Sequence, residues 1–228
     1  MIKLKKVFEC NNCNHQSGKW TGKCVECGSW NSVSEQIINP KKNSLIESLK
    51  QPQLLDSISG DKSEKIFIKD QEFNRVIGNG LVKGSVILLG GEPGIGKSTL
   101  SLKIALTLEK KVLYISGEES NEQIKLRANR LTYTNDQCFV YNETEINTII
   151  KTSEEVKPQL IIVDSIQTIY NNEIDAIPGS VSQIKHSAEI LIKYAKEKSI
   201  PVIIIGHITK DGAIAGPKVL EHMVDTVL

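Results

Sequence analysis

The stretch Gly91-Glu92-Pro93-Gly94-Ile95-Gly96-Lys97-Ser98 decides the fold class, because this pattern is found where a buried strand turns into a helix. The apolar run 86–89 precedes it, and residues 98–110 follow with apolar positions at helical spacing. Glycines allow the backbone to wrap so closely that its N–H groups face phosphate oxygens. The stretch, together with Thr99, therefore predicts an ATP-binding loop. In it Lys97 reaches the terminal phosphates and Ser98 is a ligand of Mg²⁺.

Around this loop, apolar runs alternate with amphipathic segments of helix length from about residue 66 onward. Such alternation is typical of β-α-β units. We predict strands at 86–89, 112–115, 138–141, 160–163, 202–205 and 226–228, and helices at 98–110, 120–131, 144–156 and 181–198. The pattern indicates an α/β fold with a mainly parallel sheet between helices.

Polar side chains follow three of these strands and complete a predicted catalytic site. Asp164 ends the run 160–163, where a carboxylate can hold Mg²⁺ at the carboxyl edge of the sheet. Glu118, or failing it Glu119, lies where a base can activate water, although acidic residues also favour the start of the next helix. His207 can sense the terminal phosphate, or it can be an ordinary polar residue at a strand end.

Four cysteines near the N-terminus have the spacing of a metal site: Cys10-x2-Cys13-x10-Cys24-x2-Cys27. Two such pairs predict tetrahedral thiolate coordination with no open position, and hence a structural Zn²⁺. Iron in a rubredoxin-like site is the alternative. We therefore predict a zinc ribbon at 1–34, a linker at 35–62 and the α/β core at 63–228.

Composition excludes some classes of function and leaves others open. The chain has 228 residues and a formal net charge of +1, so any contact with nucleic acid must come from a local patch. No apolar run reaches the roughly 18 to 20 residues of a membrane span, and the N-terminus lacks the apolar stretch of a secretion signal. We expect a cytoplasmic protein that does not bind membranes.

Several motifs together resemble one family, the bacterial RadA (Sms) DNA repair proteins. They are the ribbon residues 22–24 and 27–32, the phosphate loop 90–99 and the segment 114–120, YISGEES. The most specific is 206–225, GHITKDGAIAGPKVLEHMVD, which hydrophobic patterning alone does not require.

This resemblance implies a RecA-like P-loop NTPase core behind a zinc ribbon, assembled as a homo-hexameric ring. It further implies a DNA-dependent ATPase that binds single-stranded or branched DNA and promotes branch migration with the RecA recombinase. By analogy, two loops at 174–181 and 210–216 contact DNA, with Lys210 and Lys218 as candidate phosphate contacts. Ordinary surface lysines are the alternative for these two residues.

The sequence departs from the family at its C-terminus. RadA proteins continue with a Lys-Asn-Arg-Phe-Gly motif and a Lon-protease-like domain, whereas this sequence stops at Leu228. No arginine follows Arg130, so the cation that acts in trans in the family falls outside the sequence. Losing such a cation costs about 10³-fold or more in turnover, so we expect slow hydrolysis by this chain alone.

Two other classes of function are compatible with the sequence. One is a RecA-like regulatory ATPase or phosphotransferase that does not translocate on DNA. The other is a non-catalytic interaction module in which the ribbon recruits a partner. Stimulation of ATP hydrolysis by single-stranded DNA separates the DNA-dependent ATPase that the resemblance implies from both of these alternatives.

Overall fold

The computed structural model describes residues 5–10, 16–17, 19–30, 32–38, 54–57, 65–207 and 219–228. The chain divides into two compact units, residues 1–59 and 60–228, and each is described by itself. Among the described residues, no helix is both long enough and apolar enough to cross a bilayer.

The N-terminal unit is built on a three-stranded antiparallel sheet in the order β2-β1-β3. Its strands are β1 (Lys5–Cys10), β2 (Gln16–Ser17) and β3 (Val33–Ile38). All six residues of β3 pair with β1, so this strand continues four residues past the predicted end of the ribbon at residue 34. A short 3-10 helix, Leu55–Ser57, lies in the stretch predicted as a linker.

The second unit contains a six-stranded sheet, and every strand pair in it is parallel. Its strands lie in the order β6-β5-β7-β8-β4-β9. They are β4 (Val86–Gly91), β5 (Val112–Ser116), β6 (Cys138–Tyr141), β7 (Leu160–Asp164), β8 (Val202–His207) and β9 (Thr226–Val227). The parallel α/β class and all six predicted strands are thereby confirmed.

Helices cover both faces of this sheet, which explains why its central strands are apolar at every position. Leu88, Leu113 and Val163 point to one face and pack with Ile149 and Leu191 of the helices α4 (Ile146–Val156) and α5 (Val181–Lys198). Alternate strand residues point to the other face. There they pack with α1 (Gln71–Val76), α2 (Lys97–Thr107) and α3 (Asn121–Arg130).

The four predicted helices are present, and α1 is an addition that the sequence analysis missed. This helix has only six residues and one buried side chain, Phe73, so its sequence carries no helical period. Its start is nevertheless marked by Asp70, whose side chain accepts a hydrogen bond from the Phe73 N–H. The predicted helix 98–110 ends earlier than expected, at Thr107, because Leu108 has an extended backbone.

Strands β4 and β8 extend two residues beyond their apolar cores. Gly90 pairs with Gly206 and Gly91 with His207, so the ladder continues through residues that have no apolar side chain. Because the prediction relied on apolar side chains, it ended these two strands at residues 89 and 205, two residues too early. The extension brings the phosphate loop and His207 to the same edge of the sheet.

Candidate nucleotide-binding site

The loop between β4 and α2 has the backbone conformation that phosphate binding requires. Gly91, Gly94 and Gly96 have φ angles of 155°, 82° and 103°, which side chains of L-residues rarely allow. Space beside Gly94 and Gly96 is open, since a Cβ built on either would meet nothing within 4 Å. The loop therefore leaves room for a ligand above the N-terminus of α2.

Lys97, at the first position of α2, lies over this loop. Its ammonium donates hydrogen bonds to the carbonyl oxygens of Gly91 at 2.7 Å and Glu92 at 2.8 Å. Burial lowers the pKa of Lys97, while the carboxylates of Asp164 and Glu118 act in the opposite direction. The lysine is thus a buried cation beside an open cradle, which is the arrangement that favours a polyphosphate.

Asp164 ends β7 and is held from two sides. The Ser98 hydroxyl donates to Asp164 Oδ1 at 3.1 Å, and the Tyr114 hydroxyl donates to Oδ2 at 2.6 Å. Burial raises the pKa of Tyr114 well above its usual value, and the Asp164 carboxylate adds to the effect, so Tyr114 stays a donor. A serine hydroxyl next to a carboxylate that is only 4% exposed provides the hard oxygen ligands that Mg²⁺ prefers.

Glu118 follows β5 and reaches the residues that follow β7 and end β8. Its Oε1 accepts a hydrogen bond from the Ser165 hydroxyl and lies 3.1 Å from His207 Nε2. The backbone supports this position, because the Gly117 N–H donates to the Asp164 carbonyl oxygen at 3.1 Å. Glu118 is therefore a carboxylate oriented by two neighbours at the edge that also holds Asp164.

Glu119 has a different environment. Its carboxylate forms an ion pair with Arg127 of α3, and its N–H donates to the Ser116 hydroxyl at 3.1 Å. The cap of α3 is Ser120, which forms a reciprocal pair of hydrogen bonds with Gln123. Neither Glu118 nor Glu119 caps this helix with its side chain, and a favourable interaction with the helix dipole stays the alternative explanation for both acids.

The structure adds site residues that the sequence analysis did not single out: Tyr114, Ser165, Gln167 and Arg127. A signal exists only for Tyr114, because a hydroxyl in an otherwise apolar buried strand needs a hydrogen-bond partner. Gln167, in a 3-10 helix over Ile166–Thr168, donates to the His207 carbonyl oxygen at 3.2 Å. Nothing in the sequence indicates that contact.

In the ribbon, the structure describes the side chains of one of the two cysteine pairs. Cys24 is buried and Cys27 exposed. Gly28 follows at a φ of 71° and donates its N–H to the Cys24 carbonyl oxygen at 3.0 Å. This tight turn fits a metal-binding knuckle. The Cys10 side chain and Cys13 lie outside the described part of the chain, so the four-cysteine ligand set stays a prediction.

One of the two predicted DNA-contacting loops can be described. In the loop at 174–181, the buried Gln183 side chain donates to the carbonyl oxygens of Asn171, Ile174 and Ala176. Ile177 near its tip is 80% exposed. All of the other loop, 210–216, and both Lys210 and Lys218 lie outside the described residues.

Comparison with protein families matches both units. A model described as an AAA domain matches residues 59–213, and a model described as a rubredoxin metal binding domain matches residues 8–35. The predicted combination of an ATPase-type core and a ribbon is confirmed by these matches.

Curated relatives cover the entire chain. Proteins named DNA repair protein RadA are 45% identical in Bacillus subtilis, 45% in Aquifex aeolicus and 40% in Pseudomonas aeruginosa. Each match spans 100% of this chain and 52% of the relative, so the chain spans about half the length of these proteins. The resemblance expected from the motifs is confirmed.

Solved structures share the fold at low sequence identity. The ATPase domain of G40P has a TM-score of 0.56 at 16% identity, with 68% of this chain and 72% of that chain covered. A DnaB-like replicative helicase, solved in a study of its interactions with primase, has a TM-score of 0.53 at 16% identity, with 65% and 44% covered. Because the AAA domain model matches more than half of the residues, this chain belongs to the AAA domain family.

Proposed function

We propose that this chain is the ATP-hydrolysing portion of a DNA repair protein and that single-stranded DNA stimulates its activity. The observation that carries the proposal is the meeting of Glu118, Asp164 and His207 at the edge of the sheet where the phosphate loop begins. The names of the relatives support the DNA repair role.

The residues 91–99 hold the phosphates of ATP in this proposal. The Lys97 ammonium exchanges the carbonyl oxygens of Gly91 and Glu92 for phosphate oxygens, which are stronger partners for a cation in a partly buried site. Ser98 and Asp164 hold Mg²⁺, which neutralises the charge that develops on the phosphates when it is bound. Tyr114 keeps the Asp164 carboxylate oriented.

Glu118 is the proposed general base. It accepts from Ser165 and lies beside His207, so its carboxylate is fixed at the sheet edge and can receive a proton from water. Glu119 is the weaker candidate because Arg127 neutralises its carboxylate. This difference in contacts distinguishes two adjacent acids that the sequence left as first and second choice.

His207 and Gln167 connect the site to the predicted DNA contacts. His207 contacts Glu118 through its ring and Gln167 through its carbonyl oxygen, and it immediately precedes the segment that contains Lys210. We propose that a change in the contacts of Glu118 alters the position of His207, and through it the position of the segment that contains Lys210. The same route in reverse lets DNA act on hydrolysis.

The finer parts of the proposal follow from the resemblance. They are a homo-hexameric ring, branch migration with the RecA recombinase, and a structural Zn²⁺ on Cys10, Cys13, Cys24 and Cys27. The chain of 228 residues on its own should turn over slowly. Two of its three arginines form ion pairs within the chain, Arg75 with Glu72 and Arg127 with Glu119, so these two are not offered as the cation that acts in trans in the family.

The test is the ATPase rate with and without a single-stranded oligonucleotide, measured on the wild type and on two matched variants. Glu118→Gln should lower kcat by about 10²- to 10⁴-fold, the usual contribution of a general base. Glu119→Gln removes the same charge one residue away and should have a much smaller effect. Equal losses in both variants, or a larger loss in Glu119→Gln, would refute the assignment.

The same assay separates the competing functions. A rate that single-stranded DNA leaves unchanged, together with phosphate transferred to a protein or small molecule, would favour a phosphotransferase. A Lys97→Ala variant that is as active as the wild type in every assay would favour an interaction module.

A further inference from the structure

A large groove lies at the edge of the sheet opposite the candidate nucleotide site. Its volume is about 1240 Å³, above the roughly 300 to 1,000 Å³ typical of small-molecule sites. The residues that line it precede strands: Lys83 comes before β4, Lys110 before β5, Gln159 before β7 and Ile200 before β8. We call this feature the basal groove.

The basal groove is basic. Lys65, Lys69, Lys83, Lys110 and Lys198 line it, and Glu109 is the only acidic residue among the described lining residues. Glu109 pairs with Lys69 at 2.7 Å, and Lys198 pairs with Glu154 at 3.0 Å. Both pairs are solvent-exposed and therefore weak, so a phosphate can compete with the carboxylates for these lysines. In a chain of net charge +1, this is a local concentration of positive charge.

The basal groove also presents an aromatic ring. Phe67 is 69% exposed although its neighbours Ile66 and Leu108, which also line the groove, are half-buried and buried. An exposed phenyl ring among lysines is the combination by which proteins bind single-stranded nucleic acids. The lysines contact phosphates and the ring stacks on a base, whatever the sequence.

The basal groove is separate from the candidate nucleotide site. Strands β4, β5, β7 and β8 have five or six residues, which places their two ends about 15 to 20 Å apart. Glu118, Asp164 and His207 all follow or end strands, whereas the groove lies where strands begin. A ligand in the groove therefore does not occupy the nucleotide site.

We infer that the basal groove is a second binding surface for single-stranded DNA, with Phe67 as a stacking platform and the lysines as phosphate contacts. The choice of DNA rests on the proposed function. The chemistry of an open, basic groove with an exposed ring rests on the structure alone.

The test is binding of a fluorescein-labelled oligo(dT) to the full chain, followed by anisotropy over a series of salt concentrations. Phe67→Ala should weaken binding about 5- to 140-fold, since one stacked base contributes that factor. Phe139→Ala is the matched control, because Phe139 is an exposed phenylalanine on the edge strand β6, outside the groove.

Lysine variants test the electrostatic part. Lys83→Ala combined with Lys110→Ala should reduce the slope of log K against log salt by about 1.4, or about 0.7 for each lost phosphate contact. Lys125→Ala combined with Lys151→Ala changes the net charge equally on α3 and α4 and should leave the slope unchanged. Melting temperatures of all variants show whether each is folded.

Each result has a distinct meaning when the ATPase rate is measured in parallel. Wild-type stimulation by DNA with unchanged binding in the groove variants overturns the groove inference and leaves the proposed function intact. A wild-type chain that binds no oligonucleotide overturns both. Displacement of oligo(dT) by poly-glutamate at equal charge concentration overturns the inference in favour of an acidic protein partner.

Discussion

The hydrogen bond from Tyr114 to Asp164 offers a sharp test of the site geometry, through the substitution Tyr114→Phe. This change removes one oxygen atom and leaves the ring in the core, where Tyr114 is fully buried. Asp164 Oδ2 then loses a donor at 2.6 Å, and the buried carboxylate keeps only the Ser98 contact among its described side-chain partners.

The expected magnitude follows from the charge on the acceptor. A hydrogen bond to a charged group contributes about 1.5 to 3 kcal/mol to the free energy of unfolding. For a chain of this size that loss lowers Tm by about 3 to 12 °C. If Asp164 holds Mg²⁺, losing the residue that orients it should also weaken the apparent affinity for Mg²⁺ about 10- to 100-fold.

Thermal unfolding and a Mg²⁺ titration of ATP hydrolysis measure the two effects. Tyr194→Phe is the control, because Tyr194 is also buried in the core and its hydroxyl has no described hydrogen-bond partner. The control should lose little stability and keep its Mg²⁺ dependence. If Tyr114→Phe behaves like the control in both measurements, the described support of Asp164 is wrong.

Three further predictions concern other contacts of the core. Gly117→Ala should lower kcat by about 10²-fold, because the new Cβ would lie 2.6 Å from the Thr168 Cβ and displace the segment that carries Glu118. The double variant Gly117→Ala with Thr168→Gly should recover part of the lost kcat. Gln183→Ala should abolish stimulation of the ATPase by DNA, because the loop at 174–181 loses the side chain that donates hydrogen bonds to its carbonyl groups. The rate without DNA should change little, and equal losses in both rates would contradict this prediction. Hydrogen bonding to Lys103 lowers the pKa of Asp70, so the stabilisation that Asp70 contributes is complete above the unfolded pKa of about 3.9 and is lost as the pH falls through the folded value. Denaturant unfolding should therefore show that Asp70→Asn is less stable than the wild type at pH 6. The difference in the free energy of unfolding should narrow below about pH 4.

Much of the α/β core could be predicted from the sequence because its signals are local. Leu160-Ile161-Ile162-Val163 is apolar at every position, which only a strand covered on both faces requires. The phosphate loop is recognisable because its glycines must adopt positive φ angles, so the residue types report the backbone directly.

The contacts within the site could not be predicted, since they join residues far apart in the chain. Glu118 and Ser165 are 47 positions apart, and Glu118 and His207 are 89 apart. Strand order brings them together, and no spacing rule encodes that order. The same reason explains why the sequence ranks Glu118 before Glu119 but cannot show that Glu119 forms an ion pair with Arg127, since this contact depends on where α3 packs.

The account depends on a nucleotide bound over the loop 91–99, and isothermal titration calorimetry measures this directly. A non-hydrolysable ATP analogue with Mg²⁺ should bind the folded, zinc-loaded chain at one site, and Lys97→Ala should weaken that binding at least about tenfold, as expected for loss of one charge-assisted contact. Absence of any binding heat at several temperatures for the wild type, or equal affinity in the two proteins, would contradict the central claim.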